Sequence, residues 1–361
     1  MNKILYLSDL SLPNKSAHAV HVMKMCDAFA KNKNLDLIVN DCSCSWGEIK
    51  KNYSLENNFK IIALNNIKVR NLIFRALNAY KTLKISKNIN YKFIISRNIF
   101  SSIFLAYFGK KNILEIHTEL TGVTKKIFFF FKKVIQKNLK FIFIHKELKK
   151  YLKIHKNFIV LDDSINLREF DCIKKKAVKN KFVYTGSYLR GKGIEIIINL
   201  AKHFKKYEFH TYGNIDTFPR DIKRKIGKIN NLYINDFITY NKIPKVIKSA
   251  EYLLMPYPSK IEVLIKGINV KKYISPLKMF EYLAARRIIF ASYQKSYNHI
   301  LVDNFNAVLI KKNSITEWKK KIKQVVANKN KYTILKKNSY ETAKKFTWKK
   351  RAFKIINFAN E

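Results

Sequence analysis

Glycine is scarce in this chain, with 9 residues in 361, and so are proline, with 6, and cysteine, with 4. The loop after the first apolar run holds no GxGxxG, so a dehydrogenase-type dinucleotide fingerprint is absent. Cys26, Cys42, Cys44 and Cys172 make neither a CxxC pair nor a regular framework. They fit free thiols in a reducing compartment, and Cys42-Ser43-Cys44 alone is a poor metal site. No window reaches 18 uninterrupted apolar residues, which excludes a membrane-spanning helix. The opening MNKILYLSDL has few apolar residues before Ser8 and Asp9, too few for a signal peptide, so the expected location is the cytoplasm. Acidic residues are sparse as well: 25 Asp and Glu face 72 Lys and Arg, a formal net charge of +47.

That charge calls for an anionic partner, whether nucleic acid, an acidic bilayer surface or a phosphorylated substrate. Part of it reflects a general use of Lys, Asn and Ile, found even in ordinary loops. What is abundant is apolar: 47% hydrophobic residues and 26 Phe argue for packed globules, and 361 residues suffice for two domains.

Short apolar runs alternate with amphipathic stretches throughout. Residues 4–7, 35–39, 59–64, 93–96, 113–116, 141–144 and 158–161 read as strands of a parallel, doubly wound α/β domain. Ser16 is a plausible N-cap for a helix over 17–30. In such a sheet ligands sit beyond the carboxyl ends of the strands, which brings the first loop with Ser16 and Ala17, then Arg97, and then His117 and Glu119 toward one crevice. For His117 an ordinary loop or capping histidine is the alternative. The segments 67–87 and 125–141 mix Lys or Arg with Phe, Ile and Leu at near-helical spacing, which suits the interface of an anionic membrane or, equally, a solvated basic helix face. No RNP-like, KH-like or helix-turn-helix pattern accompanies them, so nucleic acid is a disfavoured partner.

The polar run 162–170, followed by lysine-rich 174–181, reads as a domain boundary, giving domains 1–165 and 166–347. Beyond it a second alternation begins, with strands expected at 182–185, 207–210, 232–234, 252–255, 288–291 and 307–310. Two such α/β halves joined by a linker are expected to make a cleft. The first turn of this half runs Gly186-Ser187-Tyr188-Leu189-Arg190-Gly191-Lys192-Gly193 into a helix over 194–204, an anion site at a strand end.

The second anion site is Ser275-Pro276-Leu277-Lys278-Met279-Phe280-Glu281, between two buried-strand runs. Ser275 suits the N-cap and Pro276 the first helical position. Lys278 in the first turn opposes the macrodipole at a cost of about 0.3–1 kcal/mol, which an anion bound at the free N–H groups would relieve. Glu281 falls on the same face one turn on, where it can accept hydrogen bonds from vicinal sugar hydroxyls. The pair reads as a site for diphosphate plus ribose, or else as the wet side of an ordinary amphipathic helix.

In this order the motifs resemble those of the GT-B glycosyltransferases of family four, the group 1 retaining enzymes. The resemblance runs from the Ser16-Ala17 loop through Ile116-His117-Thr118-Glu119, the 161–170 linker, Tyr184-Thr185-Gly186 with Lys192-Gly193, Tyr252 to Tyr257 and Ser275 to Ala285, to Trp348-Lys349-Lys350-Arg351-Ala352. It implies two facing Rossmann-like domains, the acceptor on the first and the sugar nucleotide mainly on the second, with the helix 348–361 crossing back onto the first. It implies that Lys192 and Lys278 contact the donor diphosphate, that Ser275, Pro276 and Leu277 line it, that Glu281 holds the ribose, and that His117 lies by the transferred sugar. No DxD occurs, which agrees with a metal-independent reaction and no cofactor. Four positions depart from the family pattern: Tyr273 where a Glu is usual, Ser187 where an Arg is usual unless Arg190 replaces it, and Arg286 and Ile288 in place of Gly and Pro. The expected function is transfer of a sugar from a UDP- or GDP-type donor to a surface-glycan acceptor, lipid-linked, at the inner face of a bacterial membrane. Another GT-B sugar-nucleotide enzyme, an epimerase or phosphorylase, and a non-catalytic polyanion binder are the alternatives.

Overall fold

The computed structural model describes residues 3–65, 72–258, 269–312 and 314–361. The chain divides into two compact units, Met1–Asp162 with Trp348–Glu361, and Asp163–Thr347. Part of the first basic segment, 67–71, and most of the long loop before the Ser275 helix, 259–268, lie outside the described residues.

In the first unit seven strands form one parallel sheet in the order Lys60–Ala63, Asn34–Val39, Lys3–Leu7, Phe93–Ser96, Asn112–Ile116, Leu139–Phe143 and Phe158–Val160. All seven expected runs are strands. A parallel sheet carries helices on both faces, so its strands are apolar almost without interruption; Phe93–Ser96 and Asn112–Ile116 are buried along their whole length. Tyr6 pairs with Leu37 on one side and Ile95 on the other, so the strand order reverses beside Lys3–Leu7. That reversal opens a crevice at the carboxyl ends.

Ser16 caps the helix Ala17–Ala30, its hydroxyl accepting from the Ala19 N–H at 3.2 Å. The final helix, Trp348–Asn360, packs against Ala17–Ala30 and buries Trp348, Ala352, Ile355 and Phe358 on one stripe. The helix before it, Thr333–Ala343, belongs to the second unit.

The second unit repeats the pattern with six parallel strands, ordered Leu232–Asn235, Glu208–Tyr212, Lys181–Thr185, Tyr252–Met255, Ile288–Ser292 and Val308–Ile310. All six expected strands are present. Phe182 anchors its core, stacked on Phe209 at 4.9 Å and on Tyr252 at 4.6 Å between ring centres. Here the order reverses between Lys181–Thr185 and Tyr252–Met255. Each unit is therefore a Rossmann-like α/β fold.

Two local expectations change. The basic segment 125–141 is not one helix: Gly122–Ile135 is helical, and the chain then turns into the strand Leu139–Phe143, whose apolar side chains the sheet claims. The helix expected to start with a Ser275 cap begins at Leu277, with Pro276 extended (φ −80°, ψ 130°) before it. Among the described residues no helix is long and apolar enough to cross a membrane.

Candidate functional site

The second unit's switch point is built from two glycine-dependent turns and a helix start. Gly186 ends the strand Lys181–Thr185 with φ +141°, and a Cβ there would collide with Lys278 Nζ. Gly193 opens the helix Ile194–His203 with φ +89°, and a Cβ there would overlap the Pro256 carbonyl oxygen. Both glycines thus let backbone and ligand-side groups approach where any larger residue is excluded. The Tyr184 hydroxyl donates to the Ser187 carbonyl at 2.8 Å and holds the turn closed. Lys192 is carried between the glycines, and Lys278 reaches in from the first turn of Leu277–Ala284.

Lys278 Nζ is buried and has no hydrogen-bond partner. Its neighbours are aromatic faces, Tyr184 at 3.9 Å and Tyr257 at 5.5 Å from the ring centres, and Lys192 Nζ lies 5.7 Å from the same Tyr257 ring. Burial, and then the Lys192 charge, hold the Lys278 ammonium well below the usual lysine range. Burial alone pulls Lys192 down to about 8. Two ammonium groups turned toward one aromatic wall, beside the helix's first free N–H groups, make a hole shaped for an anion.

Glu281 stands one turn further along, buried, and burial pushes it up to about 7; Lys278 opposes that shift and Glu169 adds to it. Tyr240 hydrogen-bonds the Glu169 side chain and faces Glu281, closing this end of the site. The remaining expected residues part company here. Ser275 does not cap the helix; its hydroxyl accepts from the Asp163 N–H at 3.3 Å. Pro276 takes the cap position with no side chain able to bond an N–H, and Leu277 is the first helical residue. Arg190 ion-pairs with Asp221 at 2.6 Å, both side chains about half exposed. Tyr273 is buried in the position where the family pattern has Glu.

In the first unit His117 follows the strand Asn112–Ile116 and turns back to it, with Nε2 2.6 Å from Glu115 Oε1. The same oxygen lies 2.9 Å from His21 Nε2 and 2.9 Å from Arg351 Nη2, and Tyr6 donates to Glu115 Oε2 at 3.2 Å. The His21 ring meets the His117 ring edge-on at 4.7 Å and that of Trp348 at 5.2 Å. Glu115 is held well below the usual carboxylate range, against its burial, by Arg351 first and then by the two histidines. Burial first, then Arg97, drives His117 down to about 3. Arg97 ends the neighbouring strand with Nη1 buried and without a hydrogen-bond partner. Ala17 is exposed at its helix start, while Ser16 and Glu119 are half-buried.

Ligand atoms of His21, Glu115 and His117 lie within 4.8 Å of one another, a spacing that a metal ion could use. Arg351 already meets the shared Glu115 oxygen, so a divalent ion there would face a fixed cation.

His21 and Glu115 were not singled out from the sequence, and Tyr184, Tyr257, Glu169 and Arg351 entered only as members of motifs, with no role in the site. Glu115 had a signal: it is the one charge inside an apolar strand run. The aromatic faces had none, since buried Tyr is common in cores.

Residues 168–342 match the family model of the glycosyl transferases, group 1. The chain carries a group 1 glycosyltransferase domain. It is similar to an uncharacterized glycosyltransferase of Methanocaldococcus jannaschii, 21% identical over 316 residues that span 82% of this chain and 84% of that one. Among solved structures, a glycosyltransferase from Rickettsia africae superposes with a TM-score of 0.77 at 11% identity, covering 99% of this chain and 97% of that one. Anabaena HepE, solved in complex with UDP and glucose, gives 0.73 at 11% identity over 99% of both chains. At such identities the likeness is one of fold, and it is the GT-B fold. The resemblance first carried by Ser275 to Ala285 is borne out for the second unit, where the group 1 glycosyltransferase model matches, and for the fold of the whole chain.

Proposed function

We propose that this glycosyltransferase moves a sugar from a nucleoside diphosphate donor, UDP- or GDP-type, to a lipid-linked surface glycan, with retention of configuration and without a metal ion. The observation that carries the donor is the buried ammonium of Lys278, unpartnered beside Lys192 at the start of Leu277–Ala284. A fixed cation without a partner is unfavourable until an anion arrives, and a diphosphate supplies the charge. As the glycosidic bond breaks, charge develops on that leaving group, and Lys192, Lys278 and the helix N–H groups stabilise it where it forms. Glu281, ionised on accepting two ribose hydroxyls, orients the nucleoside. His117 contacts the transferred sugar. The UDP and glucose seen with HepE support a UDP-type donor.

A thermal-shift panel of UDP, GDP, ADP and CMP tests this reading. The matching nucleoside diphosphate at 100 times its Kd is expected to stabilise by about 2.7 kcal/mol, and the monophosphate CMP by far less. No shift with any diphosphate would sink the donor assignment.

The bilayer location rests on a surface of the first unit. On Gly122–Ile135, Val123, Lys126, Phe130, Lys133 and Val134 are exposed along one side, with Phe130 82% exposed. On Leu72–Asn88 the same holds for Ile73, Leu77, Tyr80 and Lys84, and both helices pack on Ile99–Tyr107 between them. Apolar side chains interleaved with lysines fit the headgroup boundary of an anionic inner leaflet. The protein is expected to float with phosphatidylglycerol vesicles at low salt and to sediment without them. Phe130→Glu should weaken that binding several-fold without altering the UDP-induced shift, whereas equal flotation of the two proteins would remove this surface from the reading.

A further inference from the structure

We propose that Glu115 and Arg351 are positioning residues that lock His117 as the Nε2–H tautomer, so that the ring meets the transferred sugar as a hydrogen-bond acceptor at Nδ1 and selects for a donating hydroxyl there. The part that concerns the sugar rests on the proposed function; the tautomer does not.

Glu115 is fully buried and receives the Tyr6 hydroxyl at Oε2 and the Arg351 guanidinium at Oε1. The Arg351 guanidinium keeps this buried carboxylate ionised, so it can only accept. His117 Nε2, 2.6 Å from Oε1, must then carry the proton of that contact. A second ring proton would create an imidazolium among cations. The groups that face the ring are His18 and His21 from Ala17–Ala30, Arg97 after Phe93–Ser96 and Glu115 on its own strand, and Glu115 in turn meets Tyr6 from the first strand and Arg351 from the last helix. Asp9 lies beside His18 at 3.9 Å. Burial first, and then the Arg97 guanidinium, outweigh the one carboxylate, so the ring stays neutral. A neutral ring protonated at Nε2 presents a lone pair at Nδ1.

The His117 side chain is 15% exposed, whereas those of Glu115, His21 and Arg351 are 0–2% exposed. It is the part of the cluster a ligand can touch. With no proton to give at Nδ1, His117 cannot act there as an acid toward the leaving group. It accepts from a hydroxyl, and a sugar lacking that hydroxyl leaves the lone pair unpaired. Because Arg351 sits on Trp348–Asn360, the last helix is part of this site as well as of the fold.

The test is made on the full chain labelled with 15N-histidine, His117 being assigned by the loss of its signals in His117→Gln. Long-range proton–nitrogen spectra from pH 5 to 8 should show a neutral Nε2–H ring that does not titrate. An Nδ1–H ring, or titration near pH 6.5, would overturn the tautomer lock. Glu115→Gln should then mix the tautomers, weaken UDP-glucose binding about tenfold and leave UDP binding unchanged, since UDP has no sugar to contact. Equal loss for UDP and UDP-glucose would mean a merely structural role, and no loss for either would overturn the sugar contact. Should Glu115→Gln fail to fold, Glu115→Asp, which keeps the charge and draws the oxygen back by a methylene, makes the same comparison. If the wild type binds neither UDP nor UDP-glucose while its spectra show the locked ring, the donor reading has failed and the lock stands.

Discussion

Lys278→Met is expected to raise the thermal midpoint of the unliganded protein while abolishing its stabilisation by UDP. Methionine fills the same channel between Tyr184 and Tyr257 but carries no charge into it. The wild-type ammonium is buried with no hydrogen-bond partner and with Lys192 as a like-charged neighbour. Such a group costs stability, and replacing even a paired buried charge, with its partner, by apolar side chains of similar size is neutral to stabilising by about 1–4 kcal/mol. With the folded pKa of Lys278 well below 10.5, the unfolded chain binds more protons between the two values, so wild-type stability rises with pH through that window. The variant should lose this dependence and gain most at neutral pH. For a unit of this size each kcal/mol moves the midpoint by about 2–4 °C. Catalysis should move the other way, falling about 100- to 1000-fold with the loss of one charge-stabilising donor. Calorimetric scans with and without UDP, together with a transfer assay, read both. A lower midpoint with an intact UDP shift would show that Lys278 is a structural residue and not part of an anion site.

Arg351→Met should be the most damaging single change in the first unit. It leaves Glu115 ionised in the interior without the guanidinium that holds its pKa down, and breaking a buried pair in this way costs about 3–5 kcal/mol. Glu115→Gln strands Arg351 instead. The double variant Glu115→Gln/Arg351→Met should recover much of either loss, because no unpaired charge remains; the shortfall from additivity measures the coupling. Urea denaturation of the three variants at pH 7.5 is the check, and strictly additive losses would refute the pairing. The pH dependence follows from the same groups. His117 is about 3 when folded and near 6.5 when unfolded, so the unfolded state takes up more protons in between and stability falls as pH drops through that range. Glu115, depressed in the fold, adds a further loss below about pH 4.5. In Arg351→Met the bare carboxylate should recruit a proton onto His117, so the acid loss between pH 6.5 and 5 should be smaller than in the wild type.

Most of what could be read along the chain was short-range. Each apolar run proved to be a strand because a parallel sheet buries both faces, and that demand is written residue by residue. The Ser16 cap was legible because it involves an N–H only three positions away. So was the Lys278–Glu281 face, which helical spacing alone defines. The Ser275 cap failed for the opposite reason: its hydroxyl meets Asp163, 112 positions earlier, and a partner at that distance does not show in a sequence window. Arg190 likewise meets a partner, Asp221, 31 positions later, which no short window shows.

The sequence by itself therefore determined two parallel α/β sheets, the turn glycines and the presence of a lysine at a helix start. Only the tertiary structure decided that the lysine is buried against Tyr184 and Tyr257, and that Arg351 comes to rest on Glu115 from 236 positions away. The physical reason is that hydrophobic periodicity and capping act between near neighbours, whereas desolvation and charge pairing depend on whatever the folded chain brings within a few ångströms.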